Sequence, residues 1–251
     1  MEELIHYLLL AFVGLLAGII NTLAGGGSLF TLPALIFMGL PPHVANGTNR
    51  IGILIQALVG TAGYRSKKVS TYPFDLYLGI AAFFGSLLGA QIAVDIKGAL
   101  FNRILSIIML IVVALIVFKP KNKAFDLPER LTGKYLFGSL IGFFFIGIYG
   151  GFINAGVGFV IILFLNNFNR LSLIKTNATK VALVFIYTIG ALALFTWNDA
   201  VDWGLGLVLA FGSSFGAWWS SRWSVDRGEG VIKIAMVTMV TILSIKLWFF
   251  D

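Results

Sequence analysis

The chain has 251 residues, of which 59% are hydrophobic and only 12% are charged, and its mean hydropathy is +0.95. Soluble domains average about 25% charged residues, so this composition excludes an ordinary soluble protein and predicts an all-α, polytopic membrane protein. The formal net charge of +7 comes largely from cations that flank apolar segments, which favours a role in membrane orientation over nucleic-acid binding. The absence of cysteine excludes disulfides, thiolate metal sites and cysteine catalysis.

The apolar segments fall into two sets of five that are separated by one polar linker. The first set covers residues 4–23, 28–39, 44–63, 74–95 and 99–118, and the second covers residues 135–153, 156–168, 172–195, 203–222 and 230–249. The second segment of each set is too short to cross about 30 Å of hydrocarbon at 1.5 Å per residue. Each is therefore predicted to be a half-helix that pairs with a broken first segment, or a re-entrant segment. The predicted organisation is a first membrane repeat (1–118), a cytoplasmic linker (119–134) and a second membrane repeat (135–251).

Three stretches of the first set recur in the same order in the second set. "VANGTNRIGILIQALVG" (44–60) aligns without a gap with "IKTNATKVALVFIYTIG" (174–190), which places Arg50 opposite Lys180. "FGSLLGA" (84–90) matches "FGSSFGA" (211–217), and the glycine-rich "LAGGGS" (23–28) matches "INAGVG" (153–158). The common order indicates an internal duplication.

The charges of the loops predict how the two repeats are oriented. The loop 64–73 and the linker 119–134 are rich in lysine and arginine and are predicted to be cytoplasmic. In the second repeat, basic residues precede the third segment and the acidic Asp199 and Asp202 follow it, so this segment starts inside. Its counterpart in the first repeat ends at a basic loop and runs the other way. We therefore expect two inverted repeats in the cytoplasmic membrane, with both termini outside.

The positions of the acidic residues limit the kinds of chemistry that can take place inside the membrane. All eleven lie at segment ends or in loops, which argues against a cation substrate, a carboxylate proton relay and most acid/base enzymes. His6 and His43 are isolated and lack the spacing of metal ligands. The sequence therefore predicts a protein that is not an enzyme and has no metal or other cofactor.

Arg50 and Lys180 lie one to two turns inside the third segments, at equivalent positions of the two repeats. One interpretation is that both side chains extend to lipid headgroups. The other is that they attract an anion toward the membrane centre from opposite sides. Neutral amides and hydroxyls beside them could donate hydrogen bonds to an oxyanion, namely Asn46, Thr48, Asn49, Thr176, Asn177 and Thr179.

The glycine-rich breaks admit two interpretations as well. Small residues favour close helix packing. Alternatively, a half-helix starting near Ser28 presents free backbone N–H groups and a positive dipole end to an anion. The candidate residues of the breaks are Gly25, Gly26, Gly27, Ser28, Gly156 and Gly158. Asn21 and Asn154 precede the breaks and either satisfy freed backbone groups or touch substrate.

Two Gly-x-x-x-Gly stretches, Gly85 to Gly89 and Gly212 to Gly216, predict helix packing through small residues. The spacing does not decide whether the packing lies within one subunit or between two. A homo-oligomer is therefore left open.

The opening "GLLAGIINTLAGGGSLFTLPALIFMGLPPHVANGTNRIGILIQALVG" (14–60) resembles the sulfite exporter TauE/SafE family. The shared features are a glycine-broken first span, a "GGGS" segment followed by proline and a polar "ANGTN" helix start. The resemblance covers nearly the whole chain, although the second break, "NAGVG", has fewer glycines than the first. It implies transport of sulfite, sulfoacetate or related organosulfur anions across the cytoplasmic membrane.

Together these features predict a secondary transporter that moves a small sulfur-containing oxyanion by rocking one repeat against the other. Its expected partners are the anionic substrate and the lipid bilayer, without nucleic acid. The expected site combines the two glycine breaks with the starts of the third segments. A passive anion channel is the alternative, and a non-transporting membrane assembly protein is a further one.

Overall fold

A computed structural model describes residues 2–96 and 128–227, together with the single positions 100, 101, 103, 104, 107 and 234. The two described ranges contain eight helices and no strand: α1 (Glu2–Leu23), α2 (Ser28–Phe37), α3 (Pro42–Ser66), α4 (Phe74–Asp95), α5 (Gly133–Phe152), α6 (Val157–Asn167), α7 (Leu173–Trp197) and α8 (Trp203–Arg227). The predicted all-α class is confirmed. The fifth segments, 99–118 and 230–249, and most of the linker lie outside the described residues.

The succession of helix lengths repeats along the chain. A short helix follows the first long helix in both sets, with 10 residues in α2 and 11 residues in α6. Each is followed by a helix of 25 residues. The predicted half-helices are confirmed, and α2 begins at Ser28 as expected. The inversion of the two repeats in the membrane, the division of the chain at residues 119–134 and the side of each terminus stay predictions.

Apolar side chains on the outside of the helices mark this as a membrane protein. Four described helices, α1, α4, α5 and α7, are long and apolar enough to span a bilayer. Large apolar side chains also project outward one turn apart, as at Leu8, Phe12 and Leu16 of α1 and at Phe84 and Leu88 of α4. Such a continuous apolar surface is costly in water but matches hydrocarbon, so the predicted membrane class is confirmed.

The fourth helix of each set packs mainly with the other set. Helices α1 and α3 lie along α8, whereas α5 and α7 lie along α4. The first bundle is therefore α1, α2, α3 and α8, and the second bundle is α4, α5, α6 and α7. The two bundles meet chiefly where α3 packs against α7. The packing pairs of one bundle have counterparts in the other, which agrees with an internal duplication.

Glycines permit the close contacts inside each bundle. A Cβ atom added at Gly85 or Gly89 of α4 would collide with backbone atoms of α5. At the equivalent positions of α8, Gly212 and Gly216, it would collide with the backbone of α1. The two Gly-x-x-x-Gly stretches therefore pack helices within one subunit, which settles the question that their spacing left open.

Candidate functional site

The two glycine breaks touch each other at the centre of the structure. A Cβ atom added at Gly25 would lie 2.5 Å from the Cα atom of Gly158, so no larger residue fits without moving the backbone. Gly25 (φ +92°) and Gly156 (φ +76°) also adopt left-handed conformations that favour glycine. The breaks therefore bring the starts of α2 and α6 together, backbone against backbone.

Arg50 and Asn46 of α3 close the carboxyl end of α5. The guanidinium donates hydrogen bonds to the carbonyl oxygens of Gly150 and Gly151, the latter at 2.8 Å. The Asn46 amide donates to the carbonyl oxygen of Phe152 at 2.8 Å. The last carbonyls of a helix lack intrahelical partners and carry the negative end of its dipole, so a cation and an amide stabilise them.

Lys180 and Asn177 of α7 do the same for the carboxyl end of α1. The ammonium donates to the carbonyl oxygen of Thr22 at 3.0 Å and to Oδ1 of Asn177 at 2.7 Å. The Asn177 amide donates to the carbonyl oxygen of Leu23 at 2.9 Å. Each repeat thus supplies a cation and an amide that cap the broken helix of the other repeat.

Neither cation reaches the lipid headgroups. Arg50 is 0% exposed and Lys180 is 2% exposed, and both side chains point into protein. The interpretation that they extend to the membrane surface is therefore wrong. The physical reason is that the uncapped helix ends offer carbonyl oxygens inside the protein, where each cation finds hydrogen-bond partners.

A cavity lies beside the crossing of the breaks, between the two bundles. It is narrow in this structure, with a volume of about 20 Å³, which is room for about one water molecule. The first bundle and its break line it with Asn21, Gly25, Ile53, Gln56 and Ala57, and the second with Asn154, Gly158, Lys180, Val181, Val184 and Tyr187. Among the described residues of this lining, Lys180 is the one charged side chain and none is acidic. A positive charge among neutral hydrogen-bonding groups suits an anion.

The two asparagines of the breaks hold the cavity wall in place. Oδ1 of Asn21 accepts from the backbone N–H of Gly27 at 2.8 Å, and its amide donates to Oε1 of Gln56 at 3.3 Å. Asn154 donates to the Ser28 hydroxyl at 3.3 Å and accepts from the Tyr187 hydroxyl at 2.6 Å. Asn21 satisfies a freed backbone N–H, as one of the two roles considered from the sequence requires, whereas Asn154 bonds two side chains. Both line the cavity, and contact with substrate stays a prediction for them.

A second, smaller cavity of about 10 Å³ lies within the first bundle. It is lined by Ala17, Asn21, Thr31, Asn49, Gly52, Ile53, Gln56, Leu209 and Ser213. It therefore shares Asn21, Ile53 and Gln56 with the first cavity, and its own polar groups are neutral. The Thr31 hydroxyl donates to Oδ1 of Asn49 at 2.7 Å across this space.

The structure brings some of the predicted site residues together and separates others. Those at the first cavity are Asn21, Gly25, Asn154, Gly158 and Lys180, and Asn49 lies at the second. Those in the turns of the breaks or at the helix starts that follow them are Gly26, Gly27, Ser28 and Gly156. Those in the helix caps are Asn46, Arg50 and Asn177.

The three threonines of the predicted site make contacts away from both cavities. Thr48 accepts from the backbone N–H of Asp202 at 2.8 Å, and the Thr176 hydroxyl contacts the carbonyl oxygen of Leu171 at 3.3 Å. The Thr179 hydroxyl bonds to that of Thr71 at 2.7 Å. In this structure all three hydroxyls make hydrogen bonds at helix starts or loops. A role in substrate binding stays a prediction for them.

Gln56 and Tyr187 line the first cavity but were not among the predicted site residues. Gln56 is the one carboxamide in the otherwise apolar stretch 51–60. Tyr187 follows Lys180 by seven residues, which places both on one face of α7. Both features can be seen in the sequence. Helical periodicity alone, however, does not tell which face of a buried helix borders a cavity.

Replacement of Tyr187 by Phe is expected to weaken substrate binding without unfolding the protein. The change keeps the ring but removes the donor to Oδ1 of Asn154, and one hydrogen bond contributes about 1 kcal/mol. We expect the KM for substrate uptake to rise roughly fivefold, which is what about 1 kcal/mol corresponds to. Tyr135→Phe, on α5 and outside the cavity, is the matched control. An unchanged KM would show that the Tyr187 hydroxyl does not orient Asn154 for binding.

Comparisons with known proteins agree with this architecture. A family model described as Sulfite exporter TauE/SafE matches residues 10–247. A probable membrane transporter protein of Haemophilus influenzae is 30% identical over 235 residues, which cover 94% of this chain and 91% of the relative. The probable membrane transporter protein YfcA of Escherichia coli (strain K12) is 31% identical over 239 residues, covering 95% and 88%. No solved structure matches the chain.

Proposed function

Because the chain belongs to the TauE/SafE sulfite exporter family of membrane proteins, we propose that it is a secondary transporter for a small sulfur-containing oxyanion such as sulfite or a sulfonate. The proposed site is the cavity between the two bundles, beside the crossing of the breaks. The proposed mechanism is alternating access, in which the site opens to one side of the membrane at a time.

The position of Lys180 carries this proposal. Its ammonium is buried at the cavity wall, where two of its N–H groups are engaged by Thr22 and Asn177. An ammonium has three donors, and the third has no partner among the described residues, so it is available to a ligand in the cavity. A buried charge that water does not screen attracts an anion more strongly than the same charge at the surface.

Neutral groups around Lys180 supply directional contacts for an oxyanion. The amides of Asn21, Asn154 and Gln56 and the hydroxyl of Tyr187 all border the same space. The amides can donate hydrogen bonds to sulfonyl or sulfite oxygens without adding charge, whereas the one O–H of Tyr187 is donated to Oδ1 of Asn154 and orients that amide. Because no carboxylate is found among the lining residues that the structure describes, a proton that accompanies transport would travel on the substrate, as bisulfite.

Uptake into proteoliposomes tests the proposal. Purified protein should take up radiolabelled sulfite or sulfoacetate with a rate that saturates with concentration, whereas chloride and sodium at equal concentration should not compete. Preloading the vesicles with unlabelled substrate should accelerate entry of label by counterflow. Absence of flux for both sulfur anions would remove the proposed substrate class.

A passive anion channel is the second candidate, favoured by the second cavity that adjoins the first through Asn21 and Gln56. If the two cavities joined past Asn21 and Gln56, they would form a path that needs no alternating access. Counterflow decides between the two, because a channel lets label enter down its own gradient regardless of unlabelled substrate inside.

A further inference from the structure

We infer that the bodies that move during transport are the two exchanged bundles and not the two sequence repeats. This rests on the proposed function and assigns its moving parts. Each body would consist of the first three helices of one repeat and the fourth helix of the other.

Side-chain contacts tie each bundle together across the two repeats. In the first bundle, the hydroxyls of Tyr64 (α3) and Ser224 (α8) lie 3.2 Å apart, and the Ser213 hydroxyl donates to the carbonyl oxygen of Gly52 at 3.2 Å. In the second bundle, the Ser86 hydroxyl (α4) donates to the carbonyl oxygen of Tyr187 (α7) at 2.8 Å. All three bonds join residues of different repeats, so the repeats cannot separate without breaking them.

Close backbone packing between long helices also joins helices of the same bundle. The contacts of α8 with α1 and of α4 with α5 are so close that glycine Cβ positions coincide with neighbouring backbone atoms. Packing at this density resists sliding, because protein interiors transmit strain and do not deform continuously. By contrast, the described contacts between the bundles lie along α3 and α7 and around the breaks, where the caps made by Arg50 and Lys180 and the contact of Gly25 with Gly158 surround the proposed pivot.

The first cavity lies on this boundary. Its lining is divided between the bundles, with Gln56 on one wall and Lys180 on the other, whereas the second cavity is lined by the first bundle alone. A rocking of the bundles about the contact of Gly25 with Gly158 would therefore open the anion site on either side in turn. Rocking of the repeats would instead pull apart the tightly packed α1–α8 and α4–α5 pairs.

Two engineered disulfides that share one residue test this assignment, and the absence of native cysteine gives a clean background. A Cβ atom at Gly60 (α3) would lie 3.7 Å from Cβ of Val181 (α7) and 3.8 Å from Cβ of Ala217 (α8). Both separations suit a disulfide, for which the mean is about 3.8 Å. The pair G60C and V181C joins the bundles, whereas G60C and A217C joins the two repeats inside the first bundle.

Flux of sulfoacetate, a sulfonate that does not cleave disulfides as sulfite does, is compared for each double variant before and after mild oxidation. We expect oxidation to abolish flux in G60C/V181C, with recovery on reduction, and to leave flux in G60C/A217C within about twofold of its reduced state. Loss of flux in both would show that the repeats are the moving bodies. Retained flux in both would show that no motion between the bundles is needed.

The rate of disulfide formation gives a readout that does not depend on transport. If the bundles move, the 60–181 pair is apart for part of the time and should oxidise several times more slowly than the 60–217 pair. Equal rates would overturn the assignment. Flux of the unmodified protein tests the proposed function separately. If that flux is intact but the two cross-links do not differ as expected, the proposed function stands and only the assignment of the moving bodies is contradicted.

Discussion

Replacement of Lys180 by Met should reduce sulfite uptake at least 100-fold at subsaturating concentration. The change keeps much of the length of the side chain but removes the charge at the wall of the first cavity, where Lys180 is the one charged residue of the described lining. A unit charge about 4 Å from an anion contributes roughly 4 kcal/mol at an effective dielectric constant of about 20, and a 100-fold loss corresponds to about 2.7 kcal/mol of that attraction. The measurement is the initial rate of radiolabelled sulfite entry into proteoliposomes.

A matched control separates this effect from a general loss of positive charge. Lys175 lies on the same helix but is half-exposed and pairs with Glu129 at 2.8 Å, so Lys175→Met should retain uptake close to the wild-type rate. Lys180→Arg keeps the charge in a bulkier group and should give an intermediate rate. If Lys180→Met remains folded, as judged by gel filtration and thermal unfolding, and transports normally, then Lys180 serves only as a helix cap.

Replacement of Arg50 by Ala should lower stability more than it changes substrate selectivity. The guanidinium contacts the carbonyl oxygens of Gly150 and Gly151 and Oδ1 of Asn46, and neither described cavity is lined by Arg50. Each buried acceptor left without a donor costs about 1–3 kcal/mol. The loss of several kcal/mol should lower the melting temperature in detergent by on the order of 10 °C.

Two further variants serve as controls for the effect of Arg50→Ala on the melting temperature. Arg65→Ala removes an exposed arginine near the end of the same helix and should shift the melting temperature by little. Arg50→Lys keeps the charge and some hydrogen bonds and should recover part of the stability. An unchanged melting temperature in Arg50→Ala, together with a large rise in KM for sulfite, would instead place Arg50 in the substrate site.

The predicted site was partly assembled from residues whose polar groups serve the fold. Asn46 and Asn177 were expected to bind substrate because they lie beside Arg50 and Lys180 and a neutral amide can donate hydrogen bonds to an oxyanion. In the structure their amides donate to the last carbonyls of α5 and α1. A sequence shows that a broken helix has unpaired carbonyls, but it does not show which side chains of another helix will reach them.

The equivalent positions of Arg50 and Lys180 in the two repeats likewise did not predict that the two cations have different surroundings. Both cap a broken helix, but only Lys180 also borders the described cavity between the bundles. The difference comes from the packing around each cation. Phe195 lies over the guanidinium of Arg50, with its ring centre 5.5 Å away, whereas the cavity adjoins the ammonium of Lys180.

The sequence by itself determined the class of the protein, the order of long and short helices and the two breaks. These follow from composition, from the length of apolar segments and from glycine, all of which act locally along the chain. Only the tertiary structure decided that the fourth helices are exchanged, that Gly25 meets Gly158 and that Gln56 and Tyr187 border the cavity with Lys180. Those relations depend on which helix faces fit together, and a period of 3.6 residues defines a face without naming its partner.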